Sequence, residues 1–140
     1  MCSLQVLELL SAVQSQAPSY ASLRAVVYFD PNPKSASGGA WVVRERSGSV
    51  TPKLTSPIPE CDSFVIFGER HCRGADMKLR RDASAVLTLG PRMRKDAFMQ
   101  AAGRLRKLGK GQTISVVALP DVHDSICQLM RVRQNTETET

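Results

Sequence analysis

A basic, glycine-rich run in the second half of the chain has the composition of a phosphate-binding loop. The run "QAAGRLRKLGKGQ", Gln100 to Gln112, holds four basic residues and three glycines in thirteen positions. A Walker-type loop requires the pattern GxxxxGK[ST], in which backbone N–H groups approach the phosphates and a hydroxyl binds Mg²⁺. Here Gly103 and Gly109 are separated by five residues, and Gly111 stands where the hydroxyl is needed. We therefore exclude a Walker-type loop.

The same run predicts an amphipathic helix from about Arg94 to Leu108. Apolar residues recur at helical spacing on one face: Phe98, Ala101, Ala102, Leu105 and Leu108. Gln100, Arg104 and Lys107, spaced i, i+4 and i+7, line the opposite face, and Gly109 suits a helix C-terminus. These polar side chains form either a solvated helix face or a site for phosphate or another polyanion, and their spacing leaves both interpretations open.

Candidates for thiol chemistry are few. A thiol hydrolase needs a cysteine of lowered pKa beside a histidine, with a third group that orients the ring. His71 and Cys72 are adjacent, so on an extended backbone they point to opposite faces and are weak candidates. His123 and Cys127 share a face of a predicted helix, a spacing typical of packing and surface positions, and Cys61 lies in a proline-rich turn. No catalytic triad is predicted.

The elements that must position these residues predict an α/β fold with a mostly parallel sheet, preceded by a β-hairpin. "RAVVYFD" is typical of a strand, and "AWVVRERSGSVTPKL" predicts a hairpin that turns at Ser47-Gly48. The predicted later elements are strands at 63–68, 84–90 and 113–120 and helices at 94–108 and 121–130. Their continuous apolar strands are typical of a parallel sheet that is buried on both faces.

The length and the segment pattern predict one domain with two extensions. A chain of 140 residues can bury a single core. We expect a helix and linker over 1–23, one α/β domain over 24–131, and a disordered polar tail over 132–140.

The charge distribution favours a polyanionic partner. Between Arg70 and Gly111 lie twelve of the nineteen Lys and Arg residues, but three of the thirteen Asp and Glu residues. Such a concentration favours binding to nucleotide, nucleic acid or an acidic protein surface, although a set of solvated faces has the same composition. No membrane span or secretory signal is predicted, and we expect an intracellular protein, cytoplasmic or nuclear. In that reducing compartment we expect the four cysteines to be thiols. No CxxC pair suggests a zinc site, and we expect no metal site and no cofactor.

A second motif lies about thirty residues before the basic helix. "CRGADMKL" contains an RGxD pattern between two predicted strands, and the helix then carries QxxGRxxK. This order resembles the second RecA-like (Rossmann-type) lobe of superfamily-two helicases, of which this chain would contain a part. The resemblance implies a phosphate- or polyanion-binding site formed by Arg73, Gly74, Asp76, Gln100, Arg104 and Lys107. In such sites a guanidinium stabilises the charge on the phosphoryl oxygens, and lysine at 107 is a weaker substitute.

A closer resemblance covers about Gly39 to Ile126. The runs "ERHCRGADMKL", "VLTLGP", "KDAFMQAAGRLRKLGKGQ" and "VVALPDVHDSI" are similar to the C-terminal region of very large eukaryotic proteins of a poorly characterised family. That family is grouped with the ubiquitin thioesterases of the ovarian-tumour type. The resemblance implies thiol-dependent hydrolysis of ubiquitin conjugates by a longer parent protein, with ubiquitin or a ubiquitinated protein as the partner. This chain would be a catalytically incomplete part of it.

One departure from the family pattern affects the choice between functions. The chain has Gly68-Glu69-Arg70-His71 where the family has D-E-x-H, so the carboxylate that would hold Mg²⁺ is missing. Three hypotheses remain: part of a thiol-dependent ubiquitin hydrolase, the second lobe of a nucleic-acid-dependent NTPase, and a non-catalytic interaction module that keeps the fold.

Overall fold

The computed structural model describes residues 21–32, 39–71 and 75–138. Its chain divides into two compact units, Met1–Arg80 and Arg81–Thr140, which we describe separately as unit 1 and unit 2. The described part combines strands and helices, so an α/β composition is confirmed. Among the described residues, none of the helices combines the length and the apolar character of a membrane span.

Unit 1 is built on a four-stranded mixed sheet. Its strands are β1 (Ala25–Asp30), β2 (Ala40–Glu45), β3 (Val50–Pro52) and β4 (Ser63–Val65), in the spatial order β3-β2-β1-β4. β1 pairs antiparallel with β2 and parallel with β4, and β2 pairs antiparallel with β3. Short 3₁₀ turns lie at Lys53–Thr55, Glu60–Asp62 and Glu69–His71.

The predicted hairpin is confirmed. β2 and β3 are joined through Ser47 and Gly48, and Gly48 adopts φ +92°. The N–H of Gly48 donates to the carbonyl of Glu45 at 2.9 Å, and the N–H of Glu45 donates to the carbonyl of Ser49 at 2.9 Å. Glycine suits this left-handed backbone conformation, because a side chain at position 48 would clash with its own backbone.

The core of unit 1 lies on both faces of β1. Ala25, Val26 and Val27 have no exposed surface. On one face a cluster contains Ala25, Val27, Val43, Ile58, Ala75 and Met77; on the other, Val26 packs with Leu23, Tyr28, Phe64 and Ile66. The continuous apolar sequence of β1 follows from this burial on both faces.

Unit 2 contains β5 (Ser84–Leu89), α1 (Lys95–Ala102), β6 (Thr113–Ala118) and α2 (Pro120–Thr138). β5 and β6 pair in parallel over six residues, from Ser84 opposite Thr113 to Leu89 opposite Ala118. The N–H of Thr113 donates to the carbonyl of Ala83 at 3.1 Å and starts this ladder. The parallel pairing of these two strands is therefore confirmed.

Two parts of the predicted topology are wrong. The strands of the described residues form one four-stranded sheet with two antiparallel pairings and one two-stranded parallel sheet, not a single mostly parallel sheet. β4 pairs in parallel with β1 and not with β5. The prediction missed this pairing because an apolar sequence does not specify which strand pairs with which. The β5–β6 sheet is not buried on both faces either: Val86 and Val117 are 68% and 50% exposed.

The helix boundaries also differ from the prediction. α1 ends at Ala102, six residues before the predicted end, and α2 continues to Thr138 through most of the predicted tail. Residues 131–138 contain neither proline nor glycine, so nothing in their sequence stops a helix that has already formed. Of the predicted N-terminal helix and linker over 1–23, residues 1–20 lie outside the described part.

Candidate functional site

The candidate site in unit 2 is the segment 103–112, here called the basic loop, which connects α1 to β6. It carries Arg106, Lys107 and Lys110, whose side chains are all exposed. The predicted helical row of Gln100, Arg104 and Lys107 is wrong, because only Gln100 lies on α1. Lys107 projects from a turn of the basic loop, and Arg106 and Lys110 join it as exposed cations that the sequence pattern did not identify.

Gln112 organises the basic loop from inside. Its side chain is 4% exposed, and its Oε1 accepts a hydrogen bond from the N–H of Lys107 at 2.8 Å. Its backbone N–H donates to the carbonyl of Lys107 at 3.2 Å, and its carbonyl accepts from the N–H of Gly109 at 3.2 Å. A buried amide with these bonds fixes both ends of the turn. The position of Gln112 directly before the strand at 113–118 was the one sign in the sequence of this role.

Two further contacts complete the loop. The N–H of Lys110 donates to the carbonyl of Lys107 at 2.8 Å, and the N–H of Leu108 donates to the carbonyl of Leu105 at 3.1 Å. Since the backbone N–H groups of residues 107–110 bond within the loop, they are not presented to a phosphate as a Walker loop presents them. An anion would meet the side chains of the loop instead.

Arg104 is turned back onto α1. Its Nε donates to the carbonyl of Gln100 at 3.4 Å, and the side chain is half-buried. The last carbonyls of a helix lack partners within it, and a cation there is favourable. This contact, with Gly103 as the next residue after the helix, explains why α1 ends before the apolar periodicity does. Arg104 therefore caps the helix.

Gly111 allows the basic loop to enter β6. It adopts φ +112°, and a Cβ built on it would lie 2.8 Å from the carbonyl oxygen of Arg81. Real Cβ atoms do not approach an oxygen so closely, so the backbone of residue 111 fits beside residue 81 because it carries no side chain.

The RGxD segment of unit 1 is described only in part. Cys72, Arg73 and Gly74 lie outside the described residues. Asp76 is exposed and lines a groove of about 280 Å³ together with Ala40, Trp41, Pro52, Lys53, Leu54, Ala75 and Met77. Gly74 and Arg73 thus remain predictions, and Asp76 belongs to a groove whose other walls are mostly apolar.

An ion pair stands beside this groove. Lys53 Nζ lies 2.6 Å from Glu60 Oε1. Burial alone would raise the pKa of the Glu60 carboxyl, but the hydrogen bond and the charge of Lys53 outweigh it, so the pKa lies below its ordinary value. Lys53 therefore already has a carboxylate partner.

His71 packs among aromatic rings in unit 1, and Cys127 and His123 are neighbours on α2 in unit 2. The ring of His71 stacks on Phe29, with centroids 3.7 Å apart, and Trp41 meets Phe29 edge-on at 5.8 Å. Cys127 Sγ lies 3.5 Å from His123 Nε2 on α2. Within the described residues, the His123 ring has no further hydrogen-bond partner to orient it. The pair of Cys127 and His123 lacks, among the described residues, the third part of a thiol-hydrolase site, and the predicted pair of His71 and Cys72 stays a prediction because Cys72 lies outside them.

Comparison of the chain with protein-family models, curated proteins and solved structures finds no match. A proposal for the function therefore rests on the sequence motifs and on the geometry of the basic loop and the thiols.

Proposed function

We propose that the chain is part of a thiol-dependent ubiquitin hydrolase of the ovarian-tumour group and that it binds the conjugate without supplying the nucleophile. The assignment to this group is supported by the runs "ERHCRGADMKL" and "KDAFMQAAGRLRKLGKGQ". Ubiquitin, or a protein that carries it, is the partner.

The observation that carries a binding role is the construction of the basic loop. Three exposed cations stand on a turn that the hydrogen bonds of a buried glutamine hold in one shape and that a sterically required glycine permits. A loop held in one conformation loses little entropy when it binds, so its cations can contribute to affinity. Their charge suits an acidic protein surface, and the electrostatic part of the binding accelerates association.

The two described thiols, Cys61 and Cys127, support a role without a nucleophile. A cysteine hydrolase needs a thiolate, a histidine that accepts its proton and a group that orients the histidine. Cys127 and His123 are neighbours on an accessible helix surface and lack the third group among the described residues. Cys61, also described, is half-buried next to a proline-rich turn.

A ubiquitin suicide probe with an electrophile at its C-terminus tests the absence of the nucleophile. Incubation with the full chain followed by mass spectrometry is expected to give no covalent adduct, before or after substitution of Cys61, Cys72 or Cys127 by serine. An adduct that one of these substitutions abolishes would show that the chain carries the nucleophile itself and would overturn this part of the proposal.

The second candidate is the nucleic-acid-dependent NTPase lobe, which the same three cations favour. Two observations argue against the NTPase. Arg104 caps α1, whereas an arginine that stabilises phosphoryl transfer must reach the phosphoryl group. Residue 68 is a glycine, whereas Mg²⁺ needs a carboxylate. The two candidates differ in salt dependence and in ATP hydrolysis. Single-stranded RNA bound with a steep loss of affinity between low and high salt, together with RNA-stimulated hydrolysis of ATP, would favour the NTPase.

A further inference from the structure

The pair His123 and Cys127 on α2 has a geometry that neither candidate function uses. The two side chains are separated by one helical turn, and Sγ lies 3.5 Å from Nε2. His123 is exposed and Cys127 is half-buried with a free thiol, so both donor atoms lie at an accessible surface. Imidazole nitrogen and thiolate sulfur are the ligands that zinc prefers.

The separation of these two atoms matches two ligands of one zinc ion. With a Zn–N bond of about 2.05 Å and a Zn–S bond of about 2.3 Å at a tetrahedral angle, the nitrogen and the sulfur lie about 3.5 Å apart. The pair has this separation already, so binding would not require either side chain to leave its position. The thiol would release its proton to solvent as the zinc–sulfur bond forms, and the imidazole would bind in its neutral form.

One chain supplies only half of the coordination sphere. Structural zinc is four-coordinate, and no group of three or more His, Cys, Asp or Glu side chains in the described residues is placed to hold a metal ion. Two coordination positions would therefore point away from α2.

The surface around the pair indicates what would fill these positions. Ile126 and Met130 lie at i+3 and i+7 from His123, on the same helix face as Cys127, and are 38% and 59% exposed. Two exposed apolar side chains beside the pair suit a helix that packs against another helix. A two-fold interface brings the same residues of both copies together and so would supply a second histidine and a second cysteine.

We propose that His123 and Cys127 are half of a Zn²⁺ site, which a second copy of this chain completes as a His₂Cys₂ centre between two α2 helices. The apolar contact of Ile126 and Met130 would hold the two helices together around the ion. The proposal is independent of the basic loop and of any partner that it binds.

Titration of the full, reduced chain with Co²⁺ as a spectroscopic substitute tests the site. We expect a thiolate-to-cobalt charge-transfer band, intense visible bands of a tetrahedral complex, one ion for two chains, and a dimer in sedimentation velocity that forms with Co²⁺ or Zn²⁺. Cys127→Ser and His123→Asn should each weaken binding by at least about tenfold (roughly 1.4 kcal/mol). Both positions lie at the surface of α2, and unchanged circular dichroism would show that the variants fold.

Two controls make the test specific. Cys61→Ser and Cys72→Ser remove a thiol elsewhere in the sequence and should leave the cobalt spectrum unchanged. Met130→Lys removes the apolar contact, neither removes nor adds a metal ligand, and should raise the metal concentration that is needed for dimerisation. The proposal is overturned if no tetrahedral bands form, if they follow the other cysteines, or if the complex contains one chain for each ion.

Discussion

Substitution of Gly111 by alanine tests how the basic loop is built. The alanine would need φ +112° and would place its Cβ 2.8 Å from the carbonyl oxygen of Arg81. The backbone conformation alone costs about 1–3 kcal/mol for a residue with a side chain. The overlap adds about 1–3 kcal/mol more, because the atom that must move belongs to the backbone. We expect a total loss of about 2–6 kcal/mol, a large fraction of the stability of a domain.

Two other glycines of unit 2 provide matched controls. Gly109 has φ +75° and nothing within 4 Å of the position that a Cβ would take, so Gly109→Ala should cost about 1–2 kcal/mol for the left-handed backbone alone. Gly90 has neither a left-handed φ nor a near neighbour, so Gly90→Ala should be neutral or stabilising by about 0.4–1 kcal/mol. We therefore expect Gly90→Ala to be the most stable of the three variants, Gly109→Ala to be less stable, and Gly111→Ala to be the least stable.

Urea unfolding followed by the helix band in circular dichroism measures this series. Both described α-helices lie in unit 2, whereas the single tryptophan, Trp41, lies in unit 1, so circular dichroism reports mainly on unit 2 and fluorescence on unit 1. With an m-value of about 1 kcal/mol/M, Gly111→Ala should lower the urea midpoint by about 2–6 M or abolish the transition. Equal midpoints for the variants at 111 and 90 would refute the close approach of residues 111 and 81.

Three further predictions concern single side chains. Gln112→Met keeps the size of the side chain but leaves the N–H of Lys107 without its acceptor, and should cost about 1–3 kcal/mol in the same urea experiment; a loss below about 0.5 kcal/mol would contradict the organising role of the amide. Val27→Ala should lower the midpoint of the tryptophan signal by an amount equivalent to about 2 kcal/mol, whereas Val50→Ala, at a 39% exposed position, should change it by less than about 1 kcal/mol. Glu60→Gln should cost about 0.5–1 kcal/mol at neutral pH. Because the pKa of Glu60 is lowered in the folded chain, its stabilisation is complete above its unfolded value and is lost as the pH falls through the folded value, so the two proteins should become equally stable in acid; a difference that persists there would contradict the ion pair.

The strands and one turn could be predicted from the sequence because local pattern determines them. The apolar runs at 25–30, 84–89 and 113–118 are strands, and the glycine at 48 turns the hairpin. The pairing of β4 with β1 could not be predicted, because it joins segments about forty residues apart and depends on packing between them.

The end of α1 shows a second reason for the errors. Apolar spacing continues from Phe98 to Leu108, and Leu105 is indeed 5% exposed, but its side chain is buried from the basic loop and not from a helix. The N–H of Lys107 donates to the side chain of Gln112 and not to a carbonyl one helical turn earlier. The side chain of Arg104 donates to the carbonyl of Gln100. Hydrogen bonds from side chains to the backbone compete with helix formation, and periodicity does not report them. As a result the exposed cations of the candidate site are Arg106, Lys107 and Lys110.

The most direct test of the proposed function is the binding of fluorescent ubiquitin to the full chain by anisotropy. Replacing Lys107 and Lys110 by alanine removes two charges from the basic loop, and replacing the exposed Lys78 and Lys95 removes the same charge elsewhere. At about 0.5 kcal/mol for each lost ion pair, the loop variant should bind roughly fivefold more weakly, and the control variant should bind as the unmodified chain does. No binding by the unmodified chain, or equal binding by all three proteins, would contradict the proposal that the basic loop binds ubiquitin or its conjugates.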